Sequence, residues 1–178
     1  MTEPMARPTR GLRNRNPLNI RISNENQWVG EDPNNPDKAF ERFVDDIWGL
    51  RAGARLMRNH QRRRGANTIA RLISIWAPPN ENDTADYIAH VAERTGFGAD
   101  ESLDLRRREH LTPVLKAMIM HENAGHQPYS DELIDSAIDM ADQEFPPLPR
   151  ERPVSLRTPL GLTDVKSNPF RPVPPRGL

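Results

Sequence analysis

Glu122 is the residue of this sequence that breaks a local rule in a chemically useful way. It closes the stretch LTPVLKAMIMHENAG, residues 111–125, which reads as an apolar helix. Thr112 serves as its cap with Pro113 at the first helical position, and Val114, Leu115, Met118 and Ile119 form a core-facing stripe. Asn123 and Gly125 supply the stop. The last turn of a helix carries partial negative charge and favours Lys or Arg, so a carboxylate there is held where its charge is unwelcome. Burial would act in the same direction and keep the group protonated near neutral pH, as a general acid for a glycosidic oxygen requires. A solvated surface carboxylate is the other reading of the same residue, and this stretch alone shows no partner for it.

Hydrolysis of a glycan commonly uses two carboxylates, and Asp45, Asp46, Glu81 and Asp86 are candidates for the second, among which spacing does not choose. His121, Glu122 and His126 look like a broken H-E-x-x-H, but the histidines are five apart where one helical face needs four, so no metal site is expected. Around WAPPNENDT, Trp76 and Tyr87 could stack on sugar faces or fill the core, and the place of Trp76 at a helix end before Pro78 favours the core. Asn80 and Asn82 could bond N-acetyl groups, yet loop and cap positions already account for them. Serine nucleophile elbows, P-loops and dinucleotide glycine patterns are missing, so no cofactor is expected. With no cysteine, disulfides, thiolate zinc sites and thiol nucleophiles are excluded.

The elements that must position these residues follow from pattern. At 178 residues the chain suits one domain, while a hydrophobic content of 35% and 18 prolines imply that part of it lies outside the core. Residues 1–16 read as an extended basic arm carrying Arg7, Arg10, Arg13 and Arg15. The α-rich domain is expected over residues 17–144. It opens on a small antiparallel β flap, a hairpin or three strands, from the alternation at Ile20 and Ile22, an extended run at 27–29 and another at 39–44, with Trp28, Phe40 and Phe43 packing it onto helices. Asp45 or Asp46 caps a helix to about Arg64, Asn67 or Thr68 a short one halted by Pro78, and Asp83 a third that ends at Gly96 or Gly98. A charged connector, residues 100–110, leads to the Glu122 helix, and Ser130 caps the last. Residues 145–178 are Pro-dense, basic and without periodicity, which suits a polyproline-like strap along a neighbour or a disordered tail.

Balanced charge, 25 basic against 25 acidic residues, argues against general nucleic-acid binding. No apolar run is long enough to span a membrane, and MTEPMARPTRG lacks the apolar stretch of a secretory signal, so delivery beyond the cytoplasm would need another carrier.

Two stretches carry a resemblance. RGLRNRNPLNIR, W-V-G, F-E-R-F and WGLRAGARL, continued by WAPPNENDTADYIAHVAERTG and MIMHENAGHQPYS, resemble a family of tailed-phage and prophage virion proteins over most of residues 10–130. More distantly, Asn16-Pro17-Leu18-Asn19-Ile20-Arg21 with Trp28-Val29-Gly30 is similar to the N-x-x-x-I-(K/R) and W-x-G segment of flagellar-type glucosaminidases. AMIMHENAGHQPYS is similar to the catalytic Glu helix of these enzymes and of lytic transglycosylases of the lysozyme-like superfamily. The order of the two pieces is circularly permuted, which a fold with neighbouring termini allows. The likeness implies a lysozyme-like domain with Glu122 as catalytic acid/base and Asn19, Trp28, Tyr87 and Tyr129 as sugar-cleft residues.

The expectation is a virion-associated protein that opens host peptidoglycan locally as the phage genome is delivered, acting at the cell wall or periplasm. Its arms, residues 1–16 and 145–178, would bind other virion proteins. A non-catalytic capsid or tail component with the same arms is the competing expectation. A free cytoplasmic lysis enzyme is a third, which leaves the long Pro-rich tail without a use.

Overall fold

The computed structural model describes residues 7–144, which fold into six helices: α1 (Arg10–Arg13), α2 (Asp46–Arg64), α3 (Ile69–Trp76), α4 (Thr84–Thr95), α5 (Arg108–Glu122) and α6 (Asp131–Met140). Capping chemistry explains most of the boundaries. Side chains of Asp45, Thr68, Asp83 and Ser130 each accept a backbone N–H of the first turn they precede, satisfying donors that have no partner within the helix. Gly65 and Gly96 close α2 and α4 in the left-handed conformation that a residue without Cβ adopts freely.

The helices meet in one core. Leu50 and Met57 of α2, Ile69 and Ile73 of α3, Val91 of α4, Leu115, Met118 and Ile119 of α5 and Ile134 of α6 are all inaccessible to solvent. Each such side chain contributes roughly 1.5–3 kcal/mol on burial. The inner face of α2 is lined with small residues that let the N-terminal segment approach closely. A Cβ on Gly49 would stand 1.9 Å from the Arg15 carbonyl oxygen, and one on Gly53 would stand 2.4 Å from Leu18 Cδ1.

Three arginines one turn apart on α2 fasten the end of α6. Arg51, 2% exposed, donates from Nε to the Met140 carbonyl at 2.9 Å and from its fork to Gln143 O. Arg55 reaches Ala141 O at 2.9 Å and the Glu144 carboxylate. Arg58 bonds Leu105 O at 3.0 Å and Asp142 at 2.8 Å. Cations against the exposed carbonyls of a helix C-terminus are favourably placed.

Three expectations differ from the structure. Residues 10–16, read as part of an extended arm, hold a helical turn and bury Gly11, Asn14 and Asn16. No regular strand forms in the region read as a β flap. Two isolated antiparallel bridges, Arg21 with Phe40 and Glu31 with Phe43, are all the pairing among the described residues. A few backbone bonds cross between these stretches, such as Ile22 N to Ala39 O and Asp32 N to Arg42 O, and side chains serve other backbone groups: Asn16 bonds Ile20 O, Glu41 O and Ile20 N, while Asp37 accepts from Ala39 N and Phe40 N. Finally, α5 begins at Arg108 rather than at Thr112, because Leu111, fully buried, needs the preceding turn to carry it into the core. Pro113 therefore sits inside the helix, where its missing N–H removes one ladder bond. Residues 145–178, read as a strap or tail, and 1–6 lie outside the described residues.

Candidate active site at the end of α5

Glu122 is the last residue of α5, and both of its oxygens accept hydrogen bonds. Tyr87, from the first turn of α4, donates its hydroxyl to Oε1 at 3.0 Å, and Asn19 donates Nδ2 to Oε2 at 2.9 Å. Tyr87 belongs to the buried stripe of α4, so its ring packs in the core while its hydroxyl meets the carboxylate. Asn19 reaches Glu122 from a backbone at φ +48, a left-handed conformation that Asn tolerates better than most residues.

Burial pushes the Glu122 carboxyl above its ordinary value, against the bonds from Asn19 and Tyr87, which favour the charged form. The Tyr87 phenol is raised well above its own ordinary value, first by burial and then by the neighbouring carboxylate, so it stays protonated as a donor.

One side of the carboxyl opens on a cleft of about 230 Å³ lined by Asn82, Asp83, Asp86, Tyr87, His121 and Glu122. The His121 ring lies flat on Tyr87, 3.6 Å between centroids with 14° between planes, and meets the edge of His90 at 5.1 Å. Burial, then the proximity of His90, lowers the His121 pKa and favours a neutral imidazole in the cleft wall. Of the four candidates for a second carboxylate, Asp86 lines this cleft. Asp45 caps α2, Asp46 bonds Tyr129, and Glu81 pairs with Arg21 at 3.3 Å.

The candidate sugar-cleft residues thus separate into two pairs. Asn19 and Tyr87 touch Glu122. Trp28 and Tyr129 do not line the cleft: the Trp28 indole packs partly against the core and its Nε1 is buried without a hydrogen-bond partner. The Tyr129 hydroxyl is committed to Asp46, at the start of α2. Trp76 packs against the core, edge-on to His60.

Sequence reasoning missed His121 as a cleft wall and Asn123 as a buried anchor. The recurrence of Tyr87 and His90 at i and i+3 on α4, opposite a His directly before the Glu, was the signal available for the first. Among the described residues, no group of three or more His, Asp or Glu is placed to hold a metal ion. A larger hollow of about 750 Å³ lies against α2, lined by Arg55, Arg58, Arg62, Arg106, Asp104 and Asp142. Its arginines Arg55, Arg58 and Arg106 are engaged with neighbouring carbonyls and carboxylates.

A helical domain ending one helix on a buried acid beside a cleft is the class of arrangement present here. No protein-family model matches the chain. Over 127 residues it is 42% identical to Protein P5 of Pseudoalteromonas phage PM2, an alignment that covers 70% of this chain and 77% of that protein. The chain belongs to the family of that bacteriophage protein.

Proposed function

We propose that the protein is a virion-associated component of a phage that cleaves host peptidoglycan glycan strands locally while the genome is delivered, with Glu122 as general acid/base in a lysozyme-like domain. Membership of the PM2 Protein P5 family supports the phage and virion part of the reading. The observation that carries the chemical part is a carboxyl at a helix end, pushed toward its protonated form by burial and facing a cleft about the size of one sugar ring.

In this reading Glu122 gives its proton to the glycosidic oxygen as the bond to the anomeric carbon breaks. The carboxylate that remains is stabilised by Tyr87 and Asn19 and then takes a proton from the attacking hydroxyl. That hydroxyl belongs to the sugar itself, which needs no second carboxylate; where water attacks instead, Asp86 in the cleft wall takes the water's proton and Glu122 is reprotonated from solvent. The likeness of Trp28 and Tyr129 to sugar-cleft residues gives them no part in this step. Peptidoglycan would be the substrate at the host cell wall or periplasm, and residues 145–178, with the part of the N-terminal arm that precedes α1, would contact other virion proteins. No helix among the described residues is long and apolar enough to cross a membrane.

A specific observation favours a second reading, a structural virion component without catalysis: the same two bonds tie α4, α5 and the N-terminal segment together through Glu122. Zymography on peptidoglycan with wild type and Glu122→Gln separates the two. The catalytic reading expects clearing by wild type and loss of at least about a hundredfold in rate in the folded variant. Clearing that survives the substitution removes Glu122 from the chemistry, and no clearing by either protein leaves the structural reading.

A further inference from the structure

The residue after the acid is more tightly engaged than the acid itself. Asn123 is fully buried, and its amide is spent on the two segments that frame Glu122. Its Nδ2 donates to Pro17 O at 2.7 Å and to Ile119 O at 2.8 Å, and its Oδ1 accepts from the Thr9 hydroxyl at 2.6 Å. Both amide donors and the carbonyl are therefore in use. The Pro17 bond holds the turn in which Asn19 N donates to Asn16 O at 2.9 Å, the turn from which the Asn19 side chain reaches Glu122.

Gly11 completes the arrangement. A Cβ there would stand 2.7 Å from Asn123 Oδ1 and 3.0 Å from Asn19 Oδ1, so the absence of a side chain lets both amides close on the α1 backbone.

We propose that Thr9 and Asn123 are positioning residues for the acid, locking the N-terminal hook, residues 9–19, onto the end of α5 so that Asn19 keeps its bond to Glu122. The value of this for catalysis rests on the function proposed above, whereas the bond relay does not. Cutting the Thr9 bond releases the hook and Asn19 withdraws, so Glu122 loses both a donor to its charged form and part of the cover that keeps it protonated, and its titration moves.

The test is a carbon-detected NMR titration of the glutamate carboxyls in the full-length chain, with Glu122 assigned by Glu122→Gln. Thr9→Val should move the Glu122 midpoint by at least about 0.5 pH unit. Thr9→Ser, which keeps the hydroxyl, should leave it in place. Asn19→Ala should move it in the same direction, and adding Thr9→Val to it should produce no further shift. An unmoved midpoint in folded Thr9→Val overturns the proposal, and Thr9→Ala takes its place if the valine variant does not fold. The measurement needs no turnover. A shifted midpoint in a protein that clears no peptidoglycan keeps the relay and sinks the catalytic reading, while clearing with an unmoved midpoint sinks the relay alone.

Discussion

The Tyr87 hydroxyl donates to Glu122 Oε1 across the α4–α5 contact at 3.0 Å, and its ring is covered on one face by His121. Tyr87→Phe keeps the ring and the stack while removing one donor to the carboxylate. Because that bond favours the charged form, its loss moves the Glu122 titration further upward. The alkaline limb of a pH–rate profile should follow it to higher pH. Stability should fall by about 1–2 kcal/mol, measured by urea unfolding near neutral pH.

Glu41 is a second buried acid, away from the cleft. It is 7% exposed and pushed up to about 7 by burial and then by Glu31. Its folded-state pKa is above the unfolded one, so its contribution is complete below about pH 4.5 and is lost as pH rises through about 7. Glu41→Gln should flatten that decline and make the variant more stable than wild type at pH 8, by roughly 1–3 kcal/mol. Thermal unfolding across pH 4–9 measures this, and parallel curves for the two proteins would refute it.

Gly49→Ala places a methyl 1.9 Å from the Arg15 carbonyl, with backbone on both sides of the clash. The loss should be about 2–4 kcal/mol, and it should loosen the N-terminal hook before the helices. Gly65→Ala is the control: no atom lies within 4 Å and only the left-handed backbone at φ +63 is offended, so about 1 kcal/mol is expected. Chemical denaturation with hydrogen exchange at residues 10–20 reads both.

Truncation after Glu144 should leave the melting temperature of the domain within about 2 °C if the described core, with α6 capped by Ser130, stands by itself. If residues 145–178 bind virion neighbours, the truncated chain should be under-represented in purified particles. Normal incorporation would exclude a docking role for them.

The helices were legible where a capping side chain coincided with an apolar period: Asp45, Thr68, Asp83 and Ser130 all cap as their residue types suggest. At α5 a local cue misled, because Thr112-Pro113 imitates a helix start while the burial of Leu111 decides otherwise. The runs at 20–22, 27–29 and 39–44 read like strands but form two isolated bridges, with Asn and Asp side chains serving many of the backbone groups between them, which no periodicity reveals. The acid was visible from its misplaced charge. Its partners came through unequally, since Tyr87 and Asn19 lie 35 and 103 residues away from it, and only packing shows that Tyr129 turns to Asp46 instead.

The arginine row on α2 has a mechanical meaning. Tension applied to the chain beyond Glu144 would be taken up by Arg51, Arg55 and Arg58 at its point of departure and spread along a nineteen-residue rod. The same rod seats the hook through Gly49 and Gly53, so a load that bends α2 would reach Asn19 and, through it, the acid.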